Sequence, residues 1–196
     1  MAELGSRRIE DALAALASPR EPGAAGVASA FTGAAAAALV ELAAALAANK
    51  IAAQDRNEGE GADRMRTLAQ QAGKLRRRLL DAGGEDARTY AQVAKAKEGR
   101  EQARALDRAS EPPLAIAEAA AAVAERASEV AEAGDWAFTA DAVVAGELAA
   151  AAARGCAHLV ETNLAGDPED QRPARARAAA ELAAQASRTA AEHMAR

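Results

Sequence analysis

Alanine is the feature that most limits what this chain can fold into. Roughly a third of its 196 residues are alanine, far above ordinary usage. Alanine is the strongest helix former and is depleted in strands, and no stretch alternates Val, Ile, Thr and aromatic residues in the strand period. The expectation is therefore an all-α fold. An alanine side chain buries little apolar area, so such helices must gain stability from close approach over many contacts, and association with a second copy is the usual supplement. Hydrophobic residues make up 51% of the chain but aromatics only 2%.

Turn residues divide the sequence. Ser18-Pro19-Arg20-Glu21-Pro22-Gly23 separates a short helix over about Ala2 to Ala17 from a long one over about Val27 to Ala53, and Asn57 to Gly61 makes the next break. Met65, Leu68, Ala72, Leu75 and Leu79 then recur at helical spacing up to about Ala82, where Gly83-Gly84 is expected to end the helix. A fourth helix is predicted from Glu85 to about Ala109, with Tyr90 and Val93 turned inward. Pro112-Pro113 opens a fifth, which carries Ile116, Val123 and Val130, because proline is tolerated in a first turn and nowhere deeper. Gly134-Asp135 forms a corner before a sixth helix, about Thr139 to Leu164, carrying Val144, Leu148 and Leu159. The last helix, about Asp170 to Met194, has only Leu182 and Met194 as large apolar residues and reads as the least securely packed. Six to seven helices with short connections imply an antiparallel bundle, one domain over residues 1–196.

Charge and cysteine content narrow the function. With 24 Lys+Arg against 29 Asp+Glu the net charge is −5, which argues against nucleic acid as a partner. The single Cys156 excludes an internal disulfide, and two histidines without partners at ligand spacing make a metal site improbable. His158 reads as a core or interface histidine and Cys156 as a small hydrophobe. The stretch Val27 to Ala48 is long enough to span a bilayer but carries Glu41, Ser29, Thr32 and Gly33, and is read as a buried central helix with no membrane partner. No segment has the layout of a signal peptide, so a cytoplasmic location is expected.

Neither a phosphate-binding loop nor a nucleophile elbow is present. Four places combine chemistry with position. The turn Pro22-Gly23-Ala24-Ala25-Gly26 feeds the start of the long helix, where exposed backbone N–H groups can receive a carbonyl or carboxylate; it serves equally as an ordinary helix start. Trp136 and Phe138 cluster at a corner ahead of Asp141 and either stack on a flat heterocycle or plug the core, while Asp141 by itself reads as a complement to the helix dipole. Asp86 and Tyr90 share a helix face, with capping an adequate account of Glu85 or Asp86. Asn163 ends an apolar helix as either a cap or a ligand contact.

In order and spacing these blocks resemble the C-terminal family of formiminotransferase-cyclodeaminases, which includes free-standing bacterial methenyltetrahydrofolate cyclohydrolases. The matching residues are Pro22-Gly23, Glu85-Asp86 with Tyr90, Pro113-Leu114, Gly134, Asp141-Ala142, Arg154-Gly155 and Asn163-Leu164. Where relatives continue Pro-Gly with Gly-Gly-Ser, this chain has Ala24-Ala25-Gly26. Asp135, Ala140 and Glu161 depart from the pattern as well. The resemblance implies a dimeric cyclodeaminase-like bundle that binds a tetrahydrofolate derivative as substrate, without metal. It implies either cyclisation of formiminotetrahydrofolate with loss of ammonia or opening of methenyltetrahydrofolate by water. It singles out Asp141 as the proton-transferring residue. The substrate-binding set it implies is Pro22, Gly23, Ala24, Ala25, Gly26, Lys50, Asp86, Tyr90, Trp136, Phe138 and Asn163. The alternatives are a relative repurposed for another cyclic substrate and a non-catalytic oligomeric scaffold.

Overall fold

Long alanine-lined helices stack with their backbones close together in the computed structural model, which describes residues 9–18, 24–54, 59–133 and 136–194. The described residues form seven helices: α1 (Ile9–Leu16), α2 (Ala24–Gln54), α3 (Gly59–Val93), α4 (Arg100–Ala109), α5 (Glu111–Glu132), α6 (Trp136–Asn163) and α7 (Arg172–Met194). Together α2, α3, α5, α6 and α7 bury one continuous core. It is built mostly from alanine, with Val40, Leu79, Ile116, Val123 and Val160 as its largest fully buried apolar side chains.

Close contacts set the directions of the helices. Along α2 against α6, Ser29 meets Gly155, Gly33 meets Ala152 and Lys50 lies over the Phe138 ring, so the two helices run antiparallel. Along α2 against α3, Gly26 meets Asp86, Gly33 meets Leu79, Glu41 meets Gly73 and Ile51 meets Gly61, which is again antiparallel. A Cβ on Gly33 would stand 3.1 Å from a Leu79 methyl, so the missing side chain is what lets Leu79 seat at the centre of the core. Arg76 Nε donates to Glu41 at 3.0 Å across the same pair, which accounts for one member of the Arg76 to Arg78 run; Arg77 and Arg78 are exposed. At the start of α7, Arg172 binds Asp107, Glu111 and Asp170 together and ties α4, α5 and α7 at one corner.

Several expectations are corrected. Gly83-Gly84 does not end a helix: α3 continues through both to Val93, with Gly83 buried. Two glycines weaken a helix by about 1 kcal/mol each relative to alanine, less than the packing of a 35-residue helix supplies. The break falls instead after Val93, and α4 begins after Gly99, whose φ of 92° lies in the left-handed region open to glycine. Tyr90 is 39% exposed rather than inward, and Val144 is 48% exposed. The final helix is not weakly packed: Leu182 and Met194 face outward, and α7 docks through Ala176, Ala179, Ala180, Ala183, Ala186 and Ala190. The size of the side chains misleads here, because a small-residue stripe brings helix axes together and gains dispersion from backbone contact.

By length and composition alone, Ala24–Ala53 and Phe138–Asn163 are apolar enough to cross a membrane, and half of each window is buried within the bundle. His158 is exposed, 3.5 Å from Glu161, rather than a core residue.

Candidate functional site

The antiparallel arrangement gathers the first turn of α2, the second half of α3, the start of α5 and the end of α6 at one end of the bundle. A cavity of about 190 Å³ opens there, lined by Ala24, Ala25, Gly26, Asp86, Tyr90, Pro113, Leu159, Thr162 and Asn163. Six positions named from the sequence thus meet in one place through tertiary structure, among them Ala24 to Gly26 from the start of α2, Asn163 from the end of α6 and Asp86 from α3. Tyr90 joins them one turn beyond Asp86, half-exposed at the same wall.

Asp86 is the unusual group. It lies in mid-helix, because α3 runs through Gly83-Gly84, and so it is not the cap that its neighbourhood suggested. Only 4% of its surface is exposed, and no ion pair reaches it among the described residues. Burial pushes its carboxyl from the usual 3.8 up to about 7, since a charge there gives up water and gains no cation in exchange. Its carboxyl packs directly on the backbone of α2 at Gly26, in the space that any Cβ would occupy. Behind it, on α6, Cys156 is fully buried and hydrogen-bonded to Ser29; burial and the Asp86 charge push the thiol up to about 12, so it is inert as a nucleophile.

Asn163 is held rather than free to swing. Its Nδ2 donates to the Ala109 carbonyl at 3.2 Å, which links the end of α6 to the end of α4 and orients the amide at the cavity wall. Thr162 donates to the His158 carbonyl at 2.8 Å and contributes an oxygen already oriented by its own helix. Pro113, Leu159 and Thr162 were not singled out from the sequence as site residues, although Pro113 belongs to one of the matching blocks.

Of the other named residues, Lys50, Phe138 and Asp141 lie away from this cavity. Pro22 and Gly23 fall outside the described residues, as does the side chain of Trp136. Lys50 sits 6.0 Å over the Phe138 ring at the far end of α2, about 36 Å along the helix from Gly26. Asp141 is half-buried one turn beyond Phe138, about 33 Å along α6 from Asn163. Within one chain Asp141 therefore stands at the opposite end of the bundle from the cavity wall at Ala24 to Gly26, because α2 and α6 run antiparallel. Among the described residues no group of His, Cys, Asp and Glu is arranged to hold a metal ion.

Comparison with known proteins agrees with this architecture. The chain superposes on the crystal structure of formiminotetrahydrofolate cyclodeaminase from Thermotoga maritima with a TM-score of 0.84, covering 98% of each chain at 18% identity, which shows a shared fold. No curated protein matches it by sequence. The family model described as formiminotransferase-cyclodeaminase matches residues 8–182, nearly the whole chain and all of the cavity wall. An alanine-built bundle with this helix order, matched by family over that span, is placed without ambiguity: the chain belongs to the formiminotransferase-cyclodeaminase family.

Proposed function

We propose that the protein is a folate-dependent one-carbon enzyme in which Asp86 carries the proton. The single observation that supports this reading is a buried carboxyl, titrating near neutrality, in the wall of a cavity. Both candidate reactions need such a group. In cyclisation, N10 attacks the formimino carbon, loses its proton and ammonia departs with one. In hydrolysis, water adds to the methenyl carbon and loses both protons as the formyl carbonyl forms, one ending on the ring nitrogen whose bond to that carbon breaks and the other passing to solvent. One carboxyl that accepts and then returns a proton serves either sequence, and its ionised form stabilises the cationic carbon.

The expected homodimer completes this reading. Ala35, Ala38, Leu42 and Leu46 form an exposed apolar stripe on α2, and the register of α2 against α6 sets exposed Val144 level with Leu42. A second copy covering this stripe across a two-fold axis perpendicular to α2 brings the partner's far end over this cavity. Asp141 and Lys50 then act on the substrate from the opposite subunit, Lys50 toward a folate carboxylate and Asp141 toward the cationic carbon. A cytoplasmic setting accords with the buried unpaired thiol.

Turnover of methenyltetrahydrofolate, followed by loss of its chromophore, and ammonia release from formiminotetrahydrofolate distinguish the two reactions. Activity in one assay that disappears in Asp86→Asn, with helical circular dichroism unchanged, is the expected result. Absence of both folate binding and turnover in the wild type overturns the proposal in favour of a repurposed relative. Binding without turnover points to the scaffold.

A further inference from the structure

We infer that Gly26 is a positioning residue for Asp86: by carrying no side chain it lets the carboxyl lie against the backbone of α2, and that contact keeps the group out of water. This deepens the reading of Asp86 as the proton carrier and adds a residue on a different helix, 60 positions away, that sets its protonation behaviour.

A Cβ at Gly26 overlaps all three carboxyl atoms of Asp86, so any side chain there displaces the carboxyl rather than merely crowding it. Gly26 is helical and buried in α2, and its φ lies outside the left-handed region, so conformational freedom is not the reason for glycine. The space for the carboxyl is. Asp86 lines the wall of the cavity, which is open to a carboxyl displaced from the notch, and the fully buried Cys156 of α6, hydrogen-bonded to Ser29, is near enough to feel its charge. The titratable groups facing Asp86 are Cys156 from α6 and Tyr90 from its own helix; Gly26 and Ser29 of α2 and Pro113 of α5 add none. Arg88 is occupied by Glu85 on the exposed side of α3 at 2.5–3.0 Å. No cation offsets the charge among the described residues, so the degree of burial sets the titration, and burial depends on the Gly26 notch.

The test needs neither substrate nor activity. Carboxyl carbon NMR of the ligand-free protein follows Asp86, assigned by its loss in Asp86→Asn. In Gly26→Ala the titration midpoint is expected to fall by at least one pH unit, a tenfold change in the ratio of ionised to neutral carboxyl, as the carboxyl moves into the wet cavity. An unchanged midpoint in folded Gly26→Ala overturns the inference. If that variant does not fold, Gly26→Ala is introduced into Asp86→Ala. Folding restored in the double variant supports the inference, since the Cβ then has room, and failure of the double variant to fold overturns it. A displaced midpoint in a protein that lacks folate activity leaves Gly26 as the positioning residue and removes only the folate reading, so the two claims fail separately.

Discussion

Replacing Asp86 by asparagine should stabilise the fold while destroying the activity. A buried carboxyl raised from 3.8 to about 7 holds its proton more tightly in the folded chain than in the unfolded one. Below the unfolded value both states are neutral there and burial carries no electrostatic penalty. As pH rises from about 4 to about 7 the unfolded chain ionises first, so the stability of the wild type falls across that window and levels off above it. Three pH units correspond to about 4 kcal/mol at full expression. Asparagine has nearly the same shape and no charge, so its advantage over the wild type should be near zero at about pH 4 and approach about 4 kcal/mol at about pH 8. Urea unfolding of both proteins across that range measures the difference, in which every other titrating group cancels. Turnover should fall by about 100- to 10,000-fold, as expected for the loss of a positioned acid and base. A stability difference that stays flat with pH, or a wild type more stable than the variant at the alkaline end, would refute the reasoning, because the carboxyl would then be solvated or paired.

Three further outcomes follow from the same geometry. If Asp141 acts on the cavity of the opposite subunit, mixing inactive Asp86→Asn with inactive Asp141→Asn and allowing exchange should restore about a quarter of wild-type activity, since half of the dimers are mixed and each holds one intact site; no recovery separates Asp141 from the chemistry. Leu79→Ala removes a fully buried side chain seated against Gly33 and should lower stability by about 3 kcal/mol in urea unfolding, with no shift in the Asp86 titration. Cys156, buried and with its thiol pushed up to about 12, should react with a thiol reagent only at the rate of unfolding; rapid labelling of the native protein would contradict its packing beneath Asp86.

Much of the fold is legible in local chemistry. The prolines of Pro112-Pro113 open α5 where expected, and the spacing of Met65, Leu68, Ala72 and Leu79 marks the buried face of α3. The misreadings share one cause, that a local rule was overridden by packing at a distance. Gly83-Gly84 carries a stop signal, yet the helix continues because α3 is held along its length by α2 and α5. The scarcity of large side chains in α7 suggested weakness, while its alanines dock closely. At the site, Asp86 looked like a cap, and nothing near it in sequence records that Gly26 leaves a notch for its carboxyl.

The sequence by itself determined that the chain is helical and which residues carry chemistry, because propensity and periodicity act over a few residues, but it misplaced the corner between α3 and α4. Tertiary structure alone decided which of those residues meet. Three helices, with α2 antiparallel to both α3 and α6, brought Gly26, Asp86 and Asn163 together and carried Lys50, Phe138 and Asp141 about 33–38 Å away. The protonation of Asp86 was decided there as well, since desolvation is a property of everything packed around a group and not of its neighbours in the chain.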